Sequence, residues 1–514
     1  GYAVGLILQS QTVSAELAIV LTLAGLALIA FGMGLVMVRV PGVAFGMLTL
    51  AVGQMFFLTA SRSRGLTGGA DGMNIDWPNT LFGMPLSVLL KPVNMFLVCW
   101  LSLVLVMLLL TLLLRGRFGS VTEAVRDNEE RARFIGIRTL LPRAAIYALS
   151  ATVTGLAGIL SALNTGFVSP ENLHWSLSGV ALMMVVVGGY KALWGPALGA
   201  VVYFLAKDIL GDYATHWMAI FGIALIACGL NSTVTPSSCF RRLALPGCWD
   251  ALLGRRHPHA LQLRMVAIDT TRGDKMTDYV LQAEDVAIHY GGVKAVDGVA
   301  LTLTQGQIRG LIGPNGAGKS TVIDAITGRR RLTRGKVTLG GEDVSDLGVV
   351  ERRQRGLSRS FQRTSIFGQM PVRRQIELAS FQMGTKDPGA DADDVLQELE
   401  LARMADTLAD DLGYGEQRRL DLALALVGRP SVLLLDEPMA GLSVKESLDL
   451  AQHLKALTTR RNVSVLLVEH DMDVVFGISD LVTVFELGRV IASGTPAEVR
   501  ADARVREAYL GSTA

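Results

Sequence analysis

Within residues 1 to about 230, one long uncharged apolar stretch follows another, and no ordinary water-soluble core needs so many. The stretches run roughly over 16–38, 42–60, 92–114, 143–164, 195–210 and 216–230, with weaker candidates at 1–9 and 176–190. A straight helix needs ~20 residues to cross a bilayer. Lipid offers no partner for backbone N–H and C=O groups, so each segment has to satisfy its own, which a helix does. The pattern predicts an all-α polytopic membrane domain over 1–232, with some helices broken or re-entrant where a run is short.

Charge sets the expected topology. The loop 115–143 carries Arg115, Arg117, Arg126, Arg131, Arg133, Arg138 and Arg143, and the stretch 241–264 carries Arg241, Arg242, Arg255, Arg256 and Arg264. Basic loops stay on the cytoplasmic side. Three crossings between 165 and 230 put both on that side, provided 176–190 crosses. The polar loop 61–91 then lies outside, with Arg62, Arg64 and Lys91 against the rule.

Composition changes after that. Half of the residues are hydrophobic (50%), and the excess sits in the first half, so 278–514 reads as a soluble domain behind a linker at 233–277. The net charge of +2 implies no nucleic-acid partner. Cys99, Cys228, Cys239 and Cys248 form no Cys-x-x-Cys pair and read as small apolar side chains rather than a disulfide or metal set. The chain opens on Gly1 inside an apolar segment, which suggests a fragment of a longer protein.

From 278 onward, short runs rich in Val, Ile and Leu alternate with helical ones. Val280–Tyr290, Gln307–Ile312, Val432–Asp436 and Val463–Val468 read as strands, and strand–helix alternation predicts an α/β domain with a largely parallel sheet. Gly313-Pro314-Asn315-Gly316-Ala317-Gly318-Lys319-Ser320-Thr321 follows one of them and opens a helix, the context of a phosphate-binding P-loop. Backbone N–H groups of such a loop close around phosphate oxygens. Lys319 is expected on the β- and γ-phosphates of ATP, and Ser320 on Mg²⁺. A metal also needs a carboxylate, and the apolar strand ending in Asp436-Glu437 supplies it. Asp436 is expected to hold Mg²⁺ through water and Glu437 to polarise the attacking water.

Between these motifs lies Leu412-Gly413-Tyr414-Gly415-Glu416-Gln417, a Gly-rich turn leading into a helical run, and helix N-termini favour anions. With this turn in place, the whole of 278–514 resembles the ATPase domain of ABC transporters, a P-loop NTPase fold. The resemblance makes Leu412, Gly413, Tyr414, Gly415 and Glu416 the signature motif. It implies that Tyr290 stacks on adenine, that Gln362 contacts the metal and faces the permease, and that His470 contacts the γ-phosphate as the switch histidine. Ala440-Gly441-Leu442-Ser443 resembles the loop that crosses the ATPase dimer. One position departs: Gly413 stands where many ABC proteins have a serine, so a hydroxyl contact to the γ-phosphate is lost.

Finer details resemble the hydrophobic amino acid uptake branch: His289–Val296, Val468–Met472 with Gly477–Asp480, and the tail Gly494–Val499 through Ala508–Gly511. In the first half, Leu66–Gly72, Gly166–Glu171 and Gly188-Gly189 through Trp194-Gly195-Pro196 resemble branched-chain amino acid permeases. Ala124 through Ala132, with Asp127, Asn128, Glu129 and Glu130, resembles the coupling helix that docks on the ATPase, expected over 124–137 near Gln362.

The resemblance implies ATP-driven import of branched-chain or other hydrophobic amino acids across the inner or plasma membrane, with the ATPase domain cytoplasmic. The implied partners are a second permease and a second ABC ATPase, identical or different, and an extracytoplasmic binding protein. Urea or short amides are the alternative cargo. A membrane-anchored ATPase without transport is the alternative of another class.

Overall fold

The structure is a computed structural model that describes residues 1–10, 13–189, 193–213, 222, 279–442 and 444–510. Most of the expected span 216–230, the linker 233–277, Cys228, Cys239, Cys248, Ser443 and Gly511 lie outside the described residues. The chain divides into two compact units. One joins 1–116 with 143–268, and the other joins 117–142 with 269–514.

In the membrane unit, four described helices are long and apolar enough to cross a bilayer: Ala15–Met37, Val43–Arg62, Pro92–Arg115 and Leu140–Thr165. They match four of the expected spans to within a few residues. Ser14 caps the first, its side chain accepting from the Leu17 N–H. The expected crossing at 176–190 is the helix Trp175–Gly188, 14 residues long. At 1.5 Å per residue it rises about 21 Å, short of the ~30 Å hydrocarbon core. It packs on Gly195–Tyr213 through glycines. A Cβ on Gly188 would meet the Gly195 carbonyl oxygen at 1.8 Å, and one on Gly199 would meet the Met184 carbonyl oxygen at 1.8 Å. Small residues let membrane helices approach this closely. The two loop motifs also meet, because Met73–Asn74 pairs antiparallel with Phe167–Val168. Gly72 lies against the Val168 carbonyl, where a Cβ would stand at 2.5 Å.

The second unit has two sheets. The larger runs in the order Leu357–Arg359, Val432–Asp436, Ser464–Val468, Ile308–Ile312, Leu481–Glu486, Arg489–Gly494. Its first five strands are mutually parallel and the last is antiparallel. The strands Ile308–Ile312, Val432–Asp436 and Ser464–Val468 are buried at every position, as continuous apolar runs in a covered parallel sheet should be. One expectation needs correction. Tyr279–Tyr290 belongs to a separate four-stranded antiparallel sheet, paired with Val293–Thr304 and with Arg334–Leu339.

Residues 117–142 share the core of this unit. Ala124, Val125, Ala132, Ile135 and Ile137 are buried in one cluster with Phe367, Met370, Val372 and Ile376. The segment is not the single helix expected over 124–137. It is two, Arg117–Asp127 and Glu129–Phe134, broken at Asn128, whose side chain caps the second by accepting from the Arg131 N–H.

Candidate ATP site

Parallel strands deliver their carboxyl ends to one edge of the sheet, which is where ligands of open α/β sheets bind. The phosphate loop leaves the strand Ile308–Ile312 at that edge. Gly318 adopts a φ of +101°, and a Cβ there would meet the Ala295 carbonyl oxygen at 2.6 Å, so the turn admits only glycine. The helix Lys319–Ile326 follows directly. Lys319 is 6% exposed, and its Nζ donates to the carbonyls of Gly313 at 2.7 Å and Pro314 at 3.0 Å. Burial pushes the ammonium below its usual pKa, opposed by Glu437 and Asp436. Ala317 is buried beneath the loop, while Asn315, Gly316 and Ser320 are exposed and Pro314 and Thr321 half-buried.

Two strands away, Asp436 ends a fully buried strand. Its Oδ2 accepts from the Arg359 guanidinium at 3.0 Å, and its Oδ1 is buried without a hydrogen-bond partner. Burial raises its pKa, with Arg359 opposing. Glu437 turns away with a φ of +49°, left-handed for a residue that is not glycine. Such conformations cost about 1–3 kcal/mol and persist where the surroundings hold them. Here the Glu437 N–H donates to the Val468 carbonyl at 2.8 Å. Its carboxylate sits between two expected residues: Gln362 Nε2 donates to Oε2 at 2.8 Å, and His470 Nε2 lies 2.9 Å from Oε1. Sequence positions 362, 437 and 470 thus meet at one carboxylate.

Three further side chains hold this arrangement, and motif reading passed over them. Arg418, 3% exposed, donates to the backbone carbonyls of Phe361, Glu437 and Pro438. It ties the helix Tyr414–Leu426 to both loops. Glu469 accepts from the N–H groups of Met439 and His470, and burial raises its pKa. Arg359 bridges Asp436 and Asp324. Nothing in the spacing of Arg359 and Arg418 separates them from ordinary surface charges, whereas Glu469 adjoins His470 at the end of an apolar strand.

Gly413 caps the helix Tyr414–Leu426, its N–H donating to Glu416 Oε2 at 2.9 Å. Tyr414 donates to the Ala440 carbonyl at 2.9 Å and packs on Gly441. Leu412 is buried, and Gly415 faces Glu446. Among the described residues, no hydrogen bond joins this turn to the phosphate loop. Tyr290 is half-exposed at a strand end, with the Arg330 guanidinium 5.8 Å from its ring centroid.

The residues expected to form the coupling helix lie in the same unit. Asn128 Nδ2 donates to Ser365 Oγ at 3.0 Å, and Asp127 accepts from the Gln369 N–H at 3.1 Å. Glu130 pairs with Arg329 at 2.7 Å, Glu129 bonds within its own segment to Arg133 and Thr139, and Ala124 is fully buried.

Comparison with known proteins fits this geometry. Residues 296–440 match the ABC transporter family. Residues 1–229 match the permease component of the branched-chain amino acid transport system, and 489–514 match the branched-chain amino acid ATP-binding cassette transporter family. The high-affinity branched-chain amino acid transport ATP-binding protein BraF of Pseudomonas aeruginosa is 36% identical over 253 residues, which are 46% of this chain and 99% of BraF. The chain belongs to the branched-chain amino acid ABC transporter family. Its relative LivG of Escherichia coli, a high-affinity branched-chain amino acid transport ATP-binding protein, is 35% identical over 253 residues, 46% of this chain and 99% of LivG. A nucleotide-free ATP-binding cassette from an ABC transporter covers 45% of this chain at 27% identity, with a TM-score of 0.41. In this family the chain is a permease fused to an ATP-binding, ATP-hydrolysing domain. It is a multi-pass membrane protein that works with other transporter subunits.

Proposed function

We propose that this chain couples ATP hydrolysis to the import of branched-chain or other hydrophobic amino acids, with the roles at the site divided as follows. Gly313 to Thr321 wrap the phosphates, with Lys319 the principal cation. Tyr290 stacks on adenine. Glu437 orients a water for attack on the γ-phosphorus and draws its proton as the bond to the β–γ bridging oxygen breaks. His470 and Gln362 hold the Glu437 carboxylate in place, and His470 reaches the γ-phosphate. The observation that carries this reading is the meeting of Gln362, Glu437 and His470 at one carboxylate, beside the fully buried strand ending in Asp436.

The donor set fits Mg²⁺. The Asp436 Oδ1 is buried and unpartnered, which is costly unless something binds it. Asp436, Ser320 and Gln362 would hold the ion, which supplies charge neutralisation for the transferring phosphoryl group.

One chain offers one phosphate loop and one signature turn, and among the described residues no hydrogen bond joins the two. Leu412 to Glu416 therefore serve a second ATPase domain, identical or different, in a head-to-tail pair that closes on ATP. A second permease and an extracytoplasmic binding protein complete the transporter in the inner membrane, with the ATPase on the cytoplasmic side. The segment carrying Ala124, Asp127, Asn128, Glu129 and Glu130 is the coupling element, as its bonds to Ser365, Gln369 and Arg329 support.

The test is uptake of labelled leucine into vesicles holding the assembled transporter, with binding protein and ATP. ATP-dependent accumulation, competed by isoleucine and valine, is expected. Accumulation of urea or acetamide in its place would change the cargo, and hydrolysis without accumulation of any of them would sink the transport reading.

A further inference from the structure

Residues 359–362 form a short run in which every member is fixed. The Arg359 guanidinium binds Asp436 and Asp324. Ser360 Oγ and the Phe361 N–H donate to Asp421 Oδ2 at 2.5 and 3.2 Å. Gln362 reaches Glu437 at 2.8 Å. One run therefore touches Asp436, which ends the strand Val432–Asp436, and Glu437, which follows it, and its own anchor is Asp421, on the helix Tyr414–Leu426.

Asp421 is fully buried, and the cation against it comes from 117–142. Arg131, 1% exposed, places Nη1 3.2 Å from Asp421 Oδ1. The same guanidinium donates to the carbonyls of Arg359 at 3.2 Å and Asp421 at 2.7 Å. Three residues on, Phe134 meets the Phe361 ring edge-on, at 4.8 Å and 87°. Its neighbours are unlike it: Arg126 and Arg133 have side chains 65% and 53% exposed. Burial lowers the Arg131 pKa, and Asp421 opposes the shift.

We propose that Arg131 is a positioning residue of the ATP site: a guanidinium supplied from the permease half fixes residues 359–362, and through them the side chains of Asp436 and Glu437. This rests on the roles given to those two carboxylates above. The device needs arginine. A planar fork spreads its donors over two nitrogens, here Nη1 towards the Arg359 carbonyl and Asp421 Oδ1 and Nη2 towards the Asp421 carbonyl, and an ammonium, with its donors on one nitrogen, cannot copy that spread. It also gives docking a path to the metal carboxylate that is separate from Gln362.

The experiment uses the assembled transporter. Arg131→Met leaves Asp421 charged and buried, and stability should fall. Arg131→Met with Asp421→Asn removes both charges at similar volume, which buried sites tolerate. That double variant should melt near the wild type and keep its KM for ATP within about twofold, yet lose about tenfold or more in kcat. Arg131→Lys should fold and remain clearly below wild-type kcat, with the same unchanged KM. With ATP bound, the electron paramagnetic resonance spectrum of Mn²⁺ should change in the same variants, because the Asp436 carboxylate shifts.

A double variant that regains both stability and kcat would show a role in folding only, and overturn the proposal. Wild-type kcat in folded Arg131→Lys would do the same, and that variant decides alone if the double one does not fold. Absence of ATP hydrolysis in the wild-type transporter would instead refute the functional reading itself.

Discussion

The two units bury different things. In the nucleotide unit, Lys319, Arg359, Arg418, Asp421, Asp436 and Glu469 are all buried, and each has a named partner. Among the described residues of the membrane unit, no charged residue is buried at all. Its close packing comes instead from missing side chains, as at Gly188, Gly195 and Gly199. Phosphoryl transfer needs charges at fixed places, so that unit is specified by side-chain chemistry. Lipid gives helices no hydrophobic reason to associate, so the other is specified by how near two backbones can come.

This contrast can be broken most sharply at Glu437. Removing its charge should lower ATP turnover of the assembled transporter by about 10²–10⁴-fold, the usual weight of a general base. Lys319, Ser320 and Asp436 remain, so Glu437→Gln should hold unhydrolysed nucleotide in a closed ATPase pair, seen as a larger species on sizing. Normal turnover in that variant would place the catalytic work in a partner's site.

Lys319→Ala comes next. A buried phosphate charge loses its cation, and a hydrogen bond to a charged group is worth about 1.5–3 kcal/mol. ATP affinity in a direct titration of the full chain should fall about tenfold to a hundredfold. An unchanged affinity would remove Lys319 from the site.

The membrane unit supplies the third test, with its own control. Gly199→Ala puts a methyl group into the Met184 carbonyl, and overpacking costs about 1–3 kcal/mol. Gly25 and Gly32 have nothing within 4 Å of a would-be Cβ. Melting in detergent should drop for Gly199→Ala and hold for Gly25→Ala. Equal melting points would mean that the glycine contact does not govern this unit.

Gly413→Ser should have the smallest effect. Gly413 has a φ of −64°, ordinary for any residue, and its would-be Cβ meets only the Glu416 side chain, at 3.5 Å from Oε2. Serine there is a good helix cap, worth a few tenths of a kcal/mol over glycine. Turnover should stay within about twofold if backbone N–H groups suffice for the phosphate. A severalfold rise would mean that the glycine has left a weakened site.

The sequence showed its chemistry where chemistry demands residue types at fixed spacing. Gly313 to Thr321 and Asp436-Glu437 stand out as motifs for that reason, His470 stands out only through the family resemblance, and the long spans were legible from length alone. Arg131, Arg359 and Arg418 were not. Each is an arginine in a polar stretch, and burial is decided by partners up to 290 positions away in the chain. The antiparallel sheet was legible and missed: Gly291-Gly292 between Tyr279–Tyr290 and Val293–Thr304 is a two-residue hairpin turn, with Gly291 at a φ of +59°. The break at Asn128 also had its signal, a capping residue followed by Glu129 and Glu130 in the first helical turn.

The place of 117–142 in the core of the nucleotide unit bears on how that unit can be cut out. A boundary drawn at 278 looks natural on composition, yet it discards Ala124, Val125, Ala132, Ile135 and Ile137 from a shared apolar cluster and strips Asp421 of its cation. Expressed alone, residues 279–514 should melt well below the same fragment carrying 117–142 through an added tether. A synthetic peptide of 117–142 supplied in trans should recover part of the difference. Equal melting points would show that the fragment is already whole. Otherwise a nucleotide affinity measured on the shorter fragment describes a domain with a hole in its core.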